Sequence, residues 1–133
     1  MPYFQIHVVR GVRSKEETRE LADIVQQCSL DHFNAPSKDR YQIITQHDPD
    51  ELICEDTELG FTRTDRLVFI QIFQQGRDAK TKQALYAALA EKLKEKCGLD
   101  GQDLIVTVSR NEMEDWSFGH GSAQFLTGEL PKK

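Results

Sequence analysis

What most constrains this chain is a strand–helix–strand pattern that occurs twice. Residues 3–9 alternate, and Phe4, Ile6 and Val8 fall on one face of a strand. Gly11 breaks the run. Ser14-Lys15-Glu16-Glu17 then has the S-x-x-E form of a capping box, in which each side chain satisfies the other's free backbone amide. Leu21, Ile24, Val25 and Cys28 follow at helical spacing, which predicts a helix from about Lys15 to Phe33. Asn34-Ala35-Pro36-Ser37 ends it, and Arg40 to Gln46 reads as a second strand. The same grammar returns at Leu67. Leu67-Val68-Phe69-Ile70-Gln71-Ile72-Phe73 is strongly apolar, the pattern of a strand buried on both faces. Gln75-Gly76-Arg77 breaks it, and Asp78 is placed to cap a helix with Ala84, Leu85, Ala88, Leu89 and Leu93 on its inner stripe. Gly98 stands where a left-handed C-cap belongs, and Leu104 to Val108 forms the closing strand.

Two β-α-β units most simply build an α+β two-layer sandwich, a four-stranded sheet with two helices on one face. Right-handed crossovers make the strands of each unit parallel. The other face of the sheet is then bare. With Phe and Ile on its strands it calls for a partner, so a homo-oligomer is expected.

At 133 residues the chain is read as a single domain. The first unit spans about 2–47, an excursion 48–64, the second unit about 65–110, and an aromatic and glycine-bearing tail 111–133. That tail is too apolar to lie in water and is expected to pack on its own surface or on another subunit. A hydrophobic content of 38% with 29% charged residues is that of a soluble globular chain. A net charge of −5 argues against nucleic acid or an acidic membrane as a general partner. No apolar run approaches the ~20 residues that cross a bilayer, and the start does not resemble a signal peptide. Cys28, Cys54 and Cys97 are odd in number and lack C-x-x-C spacing, which suits free thiols in a reducing cytoplasm. The four histidines, His7, His32, His47 and His120, fit no zinc spacing, so no metal is expected.

The candidate catalytic group is Pro2. A small residue behind Met1 favours removal of that methionine, which would expose a secondary amine at the start of a strand. An α-amino group has an ordinary pKa of roughly 7.7–8.0, so burial or a neighbouring charge decides whether it acts as acid or base. While Met1 is retained the nitrogen is an amide and cannot act.

Several segments carry a family resemblance. They are Ser37-Lys38-Asp39-Arg40-Tyr41-Gln42, Thr45-Gln46-His47, Glu55-Asp56-Thr57-Glu58-Leu59-Gly60-Phe61, Asp115-Trp116-Ser117-Phe118-Gly119 and Phe125-Leu126-Thr127-Gly128-Glu129-Leu130. With an N-terminal proline on a strand and tandem β-α-β units, the chain resembles the tautomerase superfamily, and within it the malonate semialdehyde decarboxylase branch. The resemblance implies a homotrimer, no cofactor and a small carboxylate-bearing substrate. It makes Pro2 and Asp39 catalytic, Arg77 and Gln75 the positions that hold the substrate, and Trp116, Phe118, Phe125 and Leu130 an apolar wall. Gln75 departs from the branch, which has arginine there. A guanidinium pair binds a carboxylate bidentately, whereas glutamine brings no charge. Arg13, Arg40 and Arg66 are the candidates to replace it.

The chemistry constrains the roles. Loss of CO2 from a 3-oxo acid leaves an enolate, so negative charge on the carbonyl oxygen must be stabilised. A Pro2 cation could polarise that carbonyl or form an iminium, with Arg77 on the carboxylate and Asp39 favouring the cation. Keto–enol tautomerisation of a 2-oxo acid such as phenylpyruvate needs the neutral amine instead. A non-catalytic oligomeric binding module is the reading outside enzymology. In that case Asp39 is a turn residue, as Asp103 is expected to be, Arg77 a solvated cation, and Trp116 and Phe118 packing groups.

Overall fold

Ser14 and Glu17 close the expected capping box. The Ser14 hydroxyl accepts from the Glu17 amide at 3.1 Å, and the Glu17 carboxylate accepts from the Ser14 amide at 2.9 Å. The structure, a computed structural model, describes residues 2–130. Within it, β1 (Tyr3–Val9), α1 (Lys15–Phe33) and β2 (Gln42–His47) form the first unit. The second comprises β3 (Val68–Gln74), α2 (Ala79–Cys97) and β4 (Leu104–Arg110), and a short α3 (Gln124–Thr127) lies in the tail. Asp78 caps α2 by accepting from the Thr81 amide at 2.8 Å. Gly98 ends α2 at φ 65°, the left-handed backbone that favours glycine.

The four strands run in the order β2-β1-β3-β4. β1 is parallel to β2, with Phe4 opposite Gln42. β3 is parallel to β4, with Ile70 opposite Val106. The two units meet at the centre, where β1 and β3 pair antiparallel with Ile6 opposite Ile70 and Gln5 opposite Gln71. Phe4, Ile6 and Val8 of β1 and Val68, Ile70 and Ile72 of β3 are buried against Leu21, Val25 and Phe33 of α1 and Leu85, Leu89 and Leu93 of α2. Each such side chain gains about 1.5–3 kcal/mol from leaving water, and this layer holds the two halves together.

β3 departs from the expectation of burial on both faces. It alternates, with Val68, Ile70, Ile72 and Gln74 buried and Phe69, Gln71 and Phe73 only half-buried. Both helices pack on one face, so the largely apolar sequence of β3 leaves Phe69 and Phe73 on the bare one. At the centre of that face His7 Nδ1 lies 2.8 Å from His47 Nε2, and His7 Nε2 lies 2.8 Å from Gln71 Oε1.

The excursion 48–64 forms no helix or strand but is tied down. Arg63 donates to the carbonyls of Glu55 and Gln102 and lies over the Phe61 ring. The buried Asp103 carboxylate accepts from the amide and hydroxyl of Thr64 at 2.7 and 2.6 Å. The described part of the tail packs on its own chain. Trp116 meets Tyr3 and Tyr41, Phe118 stacks on Trp116, and the Gln124 amide accepts from the Phe118 N–H and donates to the Gly119 carbonyl. No helix among the described residues is long and apolar enough to cross a membrane.

Candidate active site

The start of β1 is where the ends of three segments converge. Parallel pairing with β2 brings the α1–β2 loop, and with it Asp39, alongside the residues that open β1. Antiparallel pairing sets Tyr3 opposite Phe73, so the chain leaving β3 through Gln75 and Arg77 passes the same point. The result is a cavity of about 360 Å³ lined by Pro2, Asp39, Gln75, Arg77, Phe125 and Leu130, together with Phe33, Asn34, Ala35, Pro36 and Met113. Pro2 is buried. The expected removal of Met1 lies outside the described residues.

Asp39 and Arg77 are held from behind. Asp39 is 4% exposed; its amide donates to the Pro36 carbonyl at 2.9 Å, and its carbonyl accepts from the buried Gln26 side chain at 3.3 Å. Arg77 donates through Nη2 to the Phe33 carbonyl at 3.1 Å, and its guanidinium carbon lies 5.5 Å from the centroid of the Phe33 ring. That carbonyl belongs to the last turn of α1, the negative end of the helix dipole. A guanidinium has five N–H donors, so one bond to Phe33 fixes its plane and leaves others for a ligand. Gly76 lets the strand-exit loop pass close to its neighbour, since a Cβ there would sit 3.1 Å from the Arg110 guanidinium.

Of the expected site residues, Pro2, Asp39, Gln75, Arg77, Phe125 and Leu130 share this cavity, whereas Trp116 and Phe118 stand outside its lining. The Trp116 and Phe118 rings stack at 4.9 Å with an interplanar angle of 11°, and Phe118 backs Phe125 edge-on at 5.6 Å. They brace the wall from behind. Phe118 also faces an adjoining cavity of about 410 Å³ that shares Pro36, Asp39 and Leu130 with the first.

None of the three arginines proposed to replace the missing charge lines the cavity. Arg13 follows the far end of β1 and donates to the Arg66 carbonyl at 2.7 Å; burial, then the Arg66 cation, holds its guanidinium below its ordinary pKa. Arg40 pairs with Asp23 at 2.7 Å and Gln42 at 3.0 Å, and its hydrogen bond holds Asp23 below the usual carboxylate range. Among the described lining residues, Arg77 carries the one cationic side chain and Asp39 the one carboxylate.

Five lining positions escaped the sequence reading. Asn34, Ala35 and Pro36 looked like a helix stop, and Asn34 does end α1 at φ 52°. Phe33 read as the last core residue of α1, and Met113 had no periodicity to mark it. The Asn-x-Pro stop shortly before Asp39 was the available signal, because a loop that positions a buried carboxylate tends to line the same hollow.

The comparisons with known proteins agree with this geometry. A family model described as "Tautomerase enzyme" matches residues 39–119. The chain is 41% identical over 130 residues to the probable tautomerase YrdN of Bacillus subtilis (strain 168), covering 98% of this chain and 100% of that one. It superposes with a TM-score of 0.93 on FG41 malonate semialdehyde decarboxylase inhibited by 3-bromopropiolate, 41% identical, with 98% of this chain and 99% of that chain covered. A second malonate semialdehyde decarboxylase, described with decarboxylase and hydratase activities, gives a TM-score of 0.93 at 35% identity, covering 97% and 99%. A fused 4-OT symmetric trimer, 19% identical with a TM-score of 0.75 and covering 95% and 98%, shares the fold. With its tandem β-α-β units, its buried Pro2 and these relatives along nearly the whole of its length, the chain belongs to the tautomerase enzyme family.

Proposed function

We propose that the chain is a cofactor-independent enzyme that uses the Pro2 amine, freed by removal of Met1, to decarboxylate malonate semialdehyde or a related 3-oxo acid. The observation that carries the reading is the meeting of Pro2, Asp39 and Arg77 around one cavity. Its likeness to two malonate semialdehyde decarboxylases supports it. Arg77 would hold the substrate carboxylate, and the Pro2 ammonium would donate to the carbonyl oxygen. As the bond between the carboxylate and C2 breaks, its electron pair flows onto that oxygen, which takes the proton from Pro2. CO2 leaves, the enol gains a proton at carbon, and acetaldehyde forms while Pro2 regains its proton. The Asp39 carboxylate nearby favours the charged amine. The apolar wall excludes water, which strengthens every charge interaction inside.

The test is acetaldehyde formation from malonate semialdehyde by protein whose intact mass shows Met1 removed, with Pro2→Ala alongside. Release that depends on Pro2 supports the proposal; release that survives Pro2→Ala near the wild-type level ends it. Keto–enol tautomerisation of a 2-oxo acid is the second reading, favoured by the neutral Gln75. It predicts ketonisation of phenylenolpyruvate that exceeds decarboxylation.

The same reading makes the molecule a homotrimer assembled through the bare face of the sheet, as the fused 4-OT relative is a trimer. Phe69 and Phe73 on that face support an assembled state, and light scattering on the purified protein tests it.

A further inference from the structure

The last residue of β3 is a glutamine, where the other inward side chains of the strand are apolar. We infer that Gln74 is a further positioning residue of the site, its carboxamide oxygen accepting a hydrogen bond from the free Pro2 amine; this rests on the Pro2 reading above. Gln74 is 1% exposed and shares the helix-facing side of β3 with Val68, Ile70 and Ile72. Neither its Oε1 nor its Nε2 has a hydrogen-bond partner among the described residues. A buried carboxamide in that state costs free energy that a leucine in its place would not.

Strand register points to the partner. Phe4 lies opposite Ile72 and Tyr3 opposite Phe73, so one residue further Pro2 stands opposite Gln74. Pro2 and Phe4 are both buried, with the half-buried Tyr3 between them on the other face. The Phe4 amide donates to the Tyr41 carbonyl at 2.9 Å, which turns its backbone groups towards β2 and away from β3. Pro2, two residues back, has the same orientation. It therefore meets Gln74 in the closer, non-hydrogen-bonded kind of antiparallel pair, with Cβ atoms about 4.5–5.5 Å apart. Behind Met1 the Pro2 nitrogen is an amide with no hydrogen to donate. Freed and protonated it carries two, one for the substrate carbonyl and one for Gln74 Oε1. Burial alone favours the neutral amine, and an acceptor that meets the charged form opposes this. Gln74 stands behind the cavity lining, so it acts on the amine and not on the substrate. Among the described lining residues, the charged groups that face Pro2 are Asp39, from the α1–β2 loop, and Arg77, from the β3–α2 loop; α1 and the tail bring none. Arg110, opposite Gln74 on β4, is exposed and bonded to Glu112 at 2.9 Å.

The experiment reads the amine without turnover. The full chain lacking Met1 is isotopically labelled at its proline nitrogens, and the Pro2 resonance is titrated by NMR in the wild type and in Gln74→Leu. Loss of the acceptor is expected to lower the pKa of the amine by about 1 to 2, the worth of one hydrogen bond to a charged group. Gln74→Met, closer in shape and equally without an acceptor, repeats the titration should the leucine variant not fold. In acetaldehyde formation from malonate semialdehyde, kcat should fall at pH about 8, KM should hold, and the loss should shrink as pH is lowered. A Pro2 amine that titrates alike in the wild type and these variants overturns this inference and leaves the parent reading standing. So does a kcat lost equally at every pH, which would make Gln74 a packing residue. A Pro2 nitrogen that never titrates, or acetaldehyde formation undiminished in Pro2→Ala, overturns the parent reading and this inference with it.

Discussion

Arg77 is fastened to Phe33 twice, through a 3.1 Å hydrogen bond to its carbonyl and through its ring, 5.5 Å from the guanidinium carbon. A residue of the β3–α2 loop is thus aimed by the last turn of α1, and the two units share one binding group. A flexible ammonium cannot make both contacts at once. Arg77→Lys is therefore expected to behave much like Arg77→Ala, chiefly by raising KM. Loss of a charged hydrogen bond of about 1.5–3 kcal/mol corresponds to a fall of roughly 10- to 150-fold in kcat/KM. Steady-state kinetics of both variants check this, and a lysine variant near wild type would mean that charge alone suffices.

Asp39 and Asp103 hold equivalent places before β2 and β4 but do different work. Asp103 clamps Thr64 through two short hydrogen bonds, whereas Asp39 lines the cavity. Asp103→Ala should lower stability by about 2–3 kcal/mol, the worth of the hydrogen bonds that its buried carboxylate accepts from Thr64. Thermal unfolding would read that as a loss of roughly 10 °C. Asp39→Asn should instead cost activity far more than melting temperature. Reversal of this pattern in paired melting and rate measurements would exchange the two roles.

On the bare face, the chain of hydrogen bonds through His7 has a fixed proton count. With His7 Nε2–H donating to Gln71 Oε1, its Nδ1 accepts from the Nε2–H of His47. Assembly through this face should therefore weaken in His47→Leu, which takes away the partner that orients His7. Sedimentation of the wild-type chain and the variant is the measurement, and an unchanged assembly state would detach this chain of hydrogen bonds from the interface.

Burial pushes the Cys28 thiol up to about 11, and it raises Cys97 as well. Only thiolate reacts, so at pH near 8 an alkylating reagent should modify Cys54, which is half-exposed, well before Cys28. Peptide mapping of a timed reaction decides the order; early loss of Cys28 would mean that α1 opens readily.

The parts of the molecule that could be read from the sequence are those set by near neighbours. Ser14 with Glu17, Asp78 with Thr81, and Gly98 at the end of α2 act within one turn of chain, and all three are as expected. The alternation of β3 was hidden, because Phe69 and Phe73 are as apolar as Ile70 and Ile72 and only the placement of both helices on one face separates them. The cavity joins residues from opposite ends of the chain. Pro2, Asp39 and Arg77 could be named by resemblance, but Met113 and Ala35 have no local signal that distinguishes lining from filler. Trp116 and Phe118 show the converse: an aromatic pair conspicuous in sequence that the fold uses to brace Phe125.

The tandem arrangement also limits valency. Pro2 opens the first unit just ahead of β1, and its counterpart ahead of β3 is Leu67, buried and joined by peptide bonds on both sides. A terminal amine can exist at one of these places and never at both. However alike the two halves are in backbone, covalent topology permits a single terminal amine per polypeptide, and an amine-directed label at Pro2 must saturate at one adduct per chain.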